Sequence, residues 1–506
     1  MNPLLRSLFL LCCLSLASQV LAKKNWIHIQ SEHFEVFSET GKGRTRTIVE
    51  ELHDTHGIFE VLFPKLGNSK RHRLKVIIAK ERTLNREIAP LYKGKPKDLA
   101  GFYGKSLEGR LLVINGSVDW NYLREVVLHE YTHFLLDQPG IEFPLWMNEG
   151  LAEVFSTISR NGKGKVTVGR ANDYRLLLLA RSKLMPLDEL FAVDHSSPVY
   201  NNSGHGAGIY YAQSWALIHY LLFGTHELPK NAFTKVVEHA IAGKTFYDTA
   251  IQKLLGRDLD TLKRELDSYC DGGEYSSYRY TLDDADSDLQ FEEFKLSGKE
   301  LEYLIVEAKL SIRGRKEAQA SVDAFIEAYP DEPESYSLRG YLELLSGRDP
   351  QAIELLEKAV KRSSQSPQTY LHFAGAKLRQ YINSTTYREN ALDELKTREL
   401  LTYLFKARAL AGPFDEKLYH CIGEVWLSSQ VRPTSDHMAI LIEGLQNYPH
   451  DSHLAFYLAR YYEKEGEFEN ALQLHQRYYQ PHLPPYLKVS YEQLAYRIKT
   501  TQEQTK

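Results

Sequence analysis

Five consecutive residues, His129–Glu130–Tyr131–Thr132–His133, set two imidazoles four positions apart with a carboxylate beside the first. On a helix, positions i and i+4 share a face, so both rings can aim at one metal ion. Glu130 lies one step round the helix, placed to reach a water on that ion rather than the ion itself. A catalytic zinc takes three protein ligands and keeps a fourth position open. The form with glycine at 136 and histidine at 139 is excluded, because the chain has Leu136 and Pro139 there. Asp137, one turn past His133, is a candidate third ligand, although its place suits a helix-end carboxylate better. Glu149 is the stronger candidate. It lies in PLWMNEGLAEVF (144–155) and opens a second helix after a turn built from Pro139, Gly140 and Pro144. Glu153 follows at i+4 on the same face, placed to accept the second N–H of His129, as metal-bound histidines generally require.

These groups need a scaffold, and the flanking patterns predict one. Residues 33–38 (HFEVFS) alternate like a half-buried strand, and LKVIIA at 74–79 reads as a strong one. Apolar residues between 44 and 63 recur at helical spacing and stop at Pro64. Glycines at 101, 104 and 109 bound two short strand-like runs, as in a hairpin. Asp119 or Ser117 can then cap the helix that carries the histidines. The order strand, helix, strand, hairpin, helix implies a mixed α+β domain. Residues 145–265 read as mostly helical, with loops at 160–170 and 194–208. The polar stretch 269–288 marks a domain boundary.

From about residue 299 the pattern changes to paired helices. One unit runs 333–366, with Tyr336 and Gly340 in its first helix and Ala352, Leu356 and Ala359 in its second. Another runs 452–483, and 299–332 and 416–449 fit more weakly. Residues 367–410 depart from the period through an insertion near 382–396. The spacing resembles the tetratricopeptide repeat, with its period of 34.

Composition frames this reading. The chain has 506 residues, which suits about three domains. Charged residues make up 25% and hydrophobic ones 43%, an ordinary globular mixture. Lys plus Arg is 62 and Asp plus Glu 66, a net charge of −4, with no basic excess of the kind nucleic-acid binding needs. At the start, Arg6 precedes an apolar run from Leu8 to Leu16, and Val20 and Ala22 occupy the −3 and −1 positions of a cleavage site. Residues 1–22 therefore read as a secretory signal, less well as an uncleaved anchor, since Ser15, Ser18 and Gln19 interrupt the run. Two of the four cysteines, Cys12 and Cys13, fall inside it. Cys270 and Cys421 remain, far apart, and read as unpaired thiols rather than a disulfide framework.

The sequences H-E-x-x-H at 129–133 and N-E-G-x-A-E at 148–153 together resemble the gluzincin zinc metallopeptidases, and within them the bacterial peptidase MA-like proteins that join such a domain to helical repeats. The resemblance implies a zincin-like fold, zinc ligands at His129, His133 and Glu149, and a general base at Glu130. It also implies a tyrosine that opens a later helix and donates to the reacting carbonyl oxygen. GIYYAQSWALIHYLL (208–222) offers Tyr211 for that role, with Tyr210 as fallback and His205 as an alternative donor. Only 15 residues separate His133 from Glu149, and no G-x-M-E-N segment is present to hold a substrate's free amine. Endopeptidase action is therefore expected rather than aminopeptidase action.

The sequence predicts a signal peptide (1–22), an α+β zincin-like catalytic domain (23–285), an all-α tetratricopeptide-like domain (295–485) and a C-terminal helix or tail (486–506). It predicts an exported, periplasmic or secreted hydrolase of peptide bonds with one Zn2+ per chain and a protein partner or substrate recruited by the repeats. No nucleic acid and no membrane span after signal cleavage are expected. Analogy with other zincins assigns the strand near 111–115 to pairing with an extended substrate. The alternative is an inactive repeat scaffold with a vestigial zinc site. A non-peptide amide as substrate is not distinguished from a peptide.

Overall fold

The computed structural model describes residues 26–66, 73–201, 205–224, 228–229, 231–282, 289–383, 391–411, 416–480 and 483–504. The expected signal at 1–22 lies outside the described residues. Six strands form the central sheet: β1 (Ile27–Ser31), β2 (Phe34–Ser38), β3 (Leu74–Ala79), β4 (Gly101–Ser106), β5 (Gly109–Asn115) and a strand near the boundary, Phe291–Phe294. Their spatial order is Phe291–Phe294, β1, β2, β3, β5, β4. The β2–β3 and β3–β5 pairs are parallel, whereas β4 runs antiparallel to β5.

Two helices cover one face: α1 (Lys42–Leu62) and α2 (Trp120–Leu136). Ile48, Val49 and Leu52 of α1 and Leu123, Val127 and Tyr131 of α2 pack on Val36, Val76, Ile78, Leu112 and Ile114. On the opposite face Phe37, Ile77, Leu111 and Val113 meet Leu301, Leu304, Ile305 and Ala308 from beyond the expected boundary. LKVIIA is apolar nearly throughout because both of its faces are covered. The stretch about the expected boundary contributes strands. Tyr278–Thr281 pairs with Lys165–Val168, within the expected loop 160–170, and Phe291–Phe294 adds the outer strand of the main sheet beside β1.

One correction concerns substrate pairing. The strand near 111–115 lies between β3 and β4 and has both edges taken. The open edge on the side of α2 belongs to β4.

The repeat region begins with a helix pair that Gly314 breaks. Its φ of 73° and ψ of −179° interrupt Gly298–Ala328, a backbone that only glycine adopts cheaply. The first half covers the sheet and the second starts the array. Pro333–Leu344 and Asp349–Lys361 form the clearest expected pair, Glu416–Ser428 and Ser435–Asn447 another, and Ser452–Lys464 and Phe468–Tyr478 a third. Between them Pro367–Asn383 and Glu394–Ala411 flank the expected insertion, part of which (384–390) lies outside the described residues. The last helix, Pro485–Gln504, is packed through Leu487, Tyr491, Leu494 and Ile498.

The array grips the tip of the β4–β5 hairpin. The Glu108 carboxylate accepts hydrogen bonds from Tyr303 and Tyr341 (2.8 and 2.9 Å) and from the Ser366 hydroxyl. Leu107 donates its N–H to Ser311, and Arg110 reaches Glu416 at 2.9 Å. The hairpin is therefore held by the sheet along its length and by the repeats at its tip. No helix among the described residues is long and apolar enough to cross a membrane. Cys270 and Cys421 are both unpaired, and burial pushes each thiol up to about 12.

Candidate metal centre

Helix α2 starts where the Asp119 side chain accepts the N–H groups of Asn121 and Tyr122, satisfying donors that have no partner within the helix. Its apolar stripe faces the sheet, and the opposite side leaves His129, Glu130 and His133 half-buried on one cleft wall. The chain turns back through Pro139–Pro144 into α3 (Leu145–Ser156), which brings Glu149 to the same point. A helix α4 (Asp173–Leu179) and a long helix α5 (His205–Phe223) complete the walls. Gly150 explains how α3 and α5 come so close: a Cβ there would lie 2.5 Å from the Ser214 carbonyl oxygen of α5. The residue after Glu149 thus has to be small to bring the Tyr211 turn of α5 beside it.

Three donor atoms converge. His129 Nε2 and His133 Nε2 are 3.2 Å apart, and Glu149 Oε2 lies 3.4 Å from the first and 3.5 Å from the second. Each outer atom is already engaged. His133 Nδ1 donates to Asn148 Oδ1 at 2.5 Å, leaving the Nε2 lone pair directed inward. His129 Nδ1 faces Glu153 Oε1 at 3.4 Å. Tyr200 donates to Glu149 Oε1 at 3.0 Å, while Glu149 Oε2, buried, has no hydrogen-bond partner. A buried, unpartnered carboxylate oxygen beside two inward imidazole nitrogens is a donor set that a divalent cation satisfies.

Charge points the same way. Burial alone would lower the His129 imidazole. The Glu149 carboxylate 3.4 Å away and the charges of Glu153 and Glu130 reverse this and push it up to about 9. Burial likewise works against the Glu149 carboxylate, yet the two histidines and Tyr200 hold it below the usual range. The carboxylates of Glu130, Glu149 and Glu153 thus favour a positive charge at the two histidines.

Glu130 is not part of the convergent set. Its Oε2 accepts the backbone N–H of Tyr103 at 3.0 Å, so the edge strand β4 fixes the carboxylate directly. Asp137 is removed from contention as a ligand, since it bonds the Tyr103 hydroxyl at 2.7 Å and pairs with Arg110 at 3.2 Å. Tyr211 is half-buried with its ring 6.4 Å from that of His129, whereas Tyr210 is fully buried in the core. Burial and the Glu149 charge raise the Tyr211 phenol far above the ordinary value, so it stays protonated and able to donate. His205 opens α5, but its side chain lies outside the described residues.

Three contributors carried no sequence signal of their own role. Arg175 on α4 forms two hydrogen bonds to Glu153, at 2.7 and 2.6 Å, and fixes the carboxylate that orients His129. Tyr200 comes from the short helix Pro198–Asn201 that precedes α5. Asn148 was visible only as part of the N-E-G motif.

Behind the site, His219 of α5 is fully buried between the Gly169 carbonyl (2.8 Å) and the Tyr269 hydroxyl (2.7 Å). Burial pulls its imidazole down to about 4. The unfolded chain takes up that proton near pH 6.5, the folded chain only near pH 4. Stability is therefore complete above about pH 6.5 and falls as pH drops toward 4, by about 3 kcal/mol in all. His219→Gln is expected to remove that part of the acid slope in urea titrations from pH 7 to pH 4. An unchanged slope would refute the assignment.

A family model described as "Protein of unknown function (DUF1570)" matches residues 125–240, a span that holds His129 through Tyr211. A tetratricopeptide repeat model matches residues 303–367. The C-terminal region therefore carries tetratricopeptide-like repeats. No curated protein matches the chain. Among solved structures, a thermophilic TPR protein of Thermus thermophilus is 18% identical over 39% of this chain and 98% of its own, with a TM-score of 0.27. MamA is 14% identical over 41% of this chain and 99% of its own, with a TM-score of 0.26.

Proposed function

We propose that the chain is an exported zinc-dependent hydrolase that cuts peptide bonds within a chain, with its repeats recruiting the protein it acts on. The observation that carries this is the convergence of His129, His133 and Glu149, with Glu130 beside them and outside the ligand set. A purely structural zinc site is usually closed by four protein ligands and needs no carboxylate poised over an open position.

His129, His133 and Glu149 would hold the ion, which when bound supplies a water acidic enough to lose its proton near neutral pH. The protein's own groups do the rest. Glu130 takes that proton, and returns one to the leaving amine. The N–H of Tyr103 holds the Glu130 carboxylate in place. Tyr211 donates its hydroxyl to the carbonyl oxygen as charge develops there. The edge strand β4 is the surface on which an extended substrate would add main-chain hydrogen bonds, and the repeats would recruit the protein that carries it.

The test is metal analysis with digestion of a broad peptide library. Cleavage abolished by chelator and restored by Zn2+ supports the reading. Zinc bound without cleavage of any peptide would favour the scaffold. Tyr211→Phe is expected to keep the metal and lower kcat by roughly 10²–10³, with KM little changed. A variant of full activity would pass the donor role to another group.

A further inference from the structure

A second cluster of metal-ligating side chains lies outside this site, on the wall of a cleft of about 1220 Å³ between the sheet domain and the repeats. His420 projects from helix Glu416–Ser428, and Asp451 and His453 come from the start of helix Ser452–Lys464. One donor atom from each lies within 4.8 Å of the other two. His420 Nε2 is 2.6 Å from Asp451 Oδ2, and His453 Nδ1 is 3.9 Å from Asp451 Oδ1. We propose that His420, Asp451 and His453 form a second metal site, which takes a borderline divalent ion, Zn2+ first, and ties two successive helix pairs together at the domain interface.

The donor set is two imidazoles and one carboxylate, the chemistry zinc prefers. Asp451 is 2% exposed, and its Oδ1 accepts the N–H groups of His453 and Leu454 at the helix start. The carboxylate is thereby immobilised with Oδ2 turned toward His420. The far nitrogen of His453, Nε2, is 2.6 Å from the Tyr486 hydroxyl. Bound histidines characteristically have such an outer partner, and Asn148 gives His133 the same support. Both imidazoles are about one-third exposed toward the cleft, which gives an ion a path in and leaves room for water to complete its shell.

The location gives the ion a consequence. The Pro139–Pro144 turn, which leads into the helix bearing Glu149, packs on the loop that ends at Asp451. A Cβ on Gly140 would lie 1.8 Å from the His450 carbonyl oxygen. An ion at Asp451 would stiffen the surface on which that turn rests.

The experiment titrates Zn2+ into chelator-stripped full-length chain by calorimetry, with circular dichroism to verify folding. His133→Ala, which disables the first site, should still bind one ion per chain. Adding Asp451→Asn should abolish that binding. Asparagine is as good a helix cap as aspartate, so the fold is kept while the carboxylate is lost. His420→Ala with His453→Ala in the same background should do likewise. A His133→Ala chain that binds no Zn2+, or an Asp451→Asn chain that binds as before, would overturn the second site. If instead His133→Ala binds as many ions as the unmodified chain, the first site is the one refuted.

Discussion

Glu130→Gln should keep its zinc and lose its chemistry, with kcat lower by roughly 10²–10⁴ and KM nearly unchanged. The amide has nearly the volume of the carboxylate, and its oxygen can still accept the N–H of Tyr103 that fixes the side chain at 3.0 Å. It cannot take a proton from water. Glu130 donates none of the three atoms that converge on the metal position, so zinc content should be unaltered. The pair of measurements, metal per chain and turnover on a cleaved peptide, separates two failures. Loss of zinc would make Glu130 a structural support of the site. Full turnover that survives the substitution would refute a glutamate-base mechanism outright.

The parts of this site that the sequence disclosed are those whose relation is local. His129 and His133 are one helical turn apart, so their convergence follows from helix geometry alone. Glu149 and Glu153 are related in the same way on the next helix, and the Pro139–Pro144 turn announces the reversal between them. Arg175 bonds Glu153 across 22 residues and Tyr200 bonds Glu149 across 51, and neither separation has a helical or strand period to betray it. The same limit explains the sheet. β4 and β5 are equally strand-like in sequence, and which of them is the edge depends on where β3 pairs. FEEF at 291–294 has too little apolar alternation to announce an outer strand, because one residue of the four is half-buried and the others are exposed. The repeats were legible through their small residues and spacing, whereas their grip on Glu108 depends on Tyr303, Tyr341 and Ser366, which come from different parts of the array.

Glu149→Ala has the larger consequence for the metal. Three carboxylates, Glu130, Glu149 and Glu153, surround the two histidines, but only Glu149 turns a buried, unpartnered oxygen onto both inward nitrogens. Removing it leaves two imidazoles, and two ligands hold zinc far less well than three. Loss of a mere outer-shell partner typically costs 10–100-fold in metal affinity, so loss of the ligand itself should exceed about 100-fold. The ion at this site should dialyse away and turnover should vanish with it. Tyr200→Phe is the matched control, because it releases Glu149 Oε1 but leaves Oε2 in place. It should weaken zinc within the 10–100-fold range and keep measurable activity at saturating metal. Calorimetric affinity and turnover at saturating Zn2+, measured on both variants, decide the matter. If Glu149→Ala binds zinc as tightly as Tyr200→Phe, the third ligand lies elsewhere and the convergence of His129, His133 and Glu149 is not a metal site.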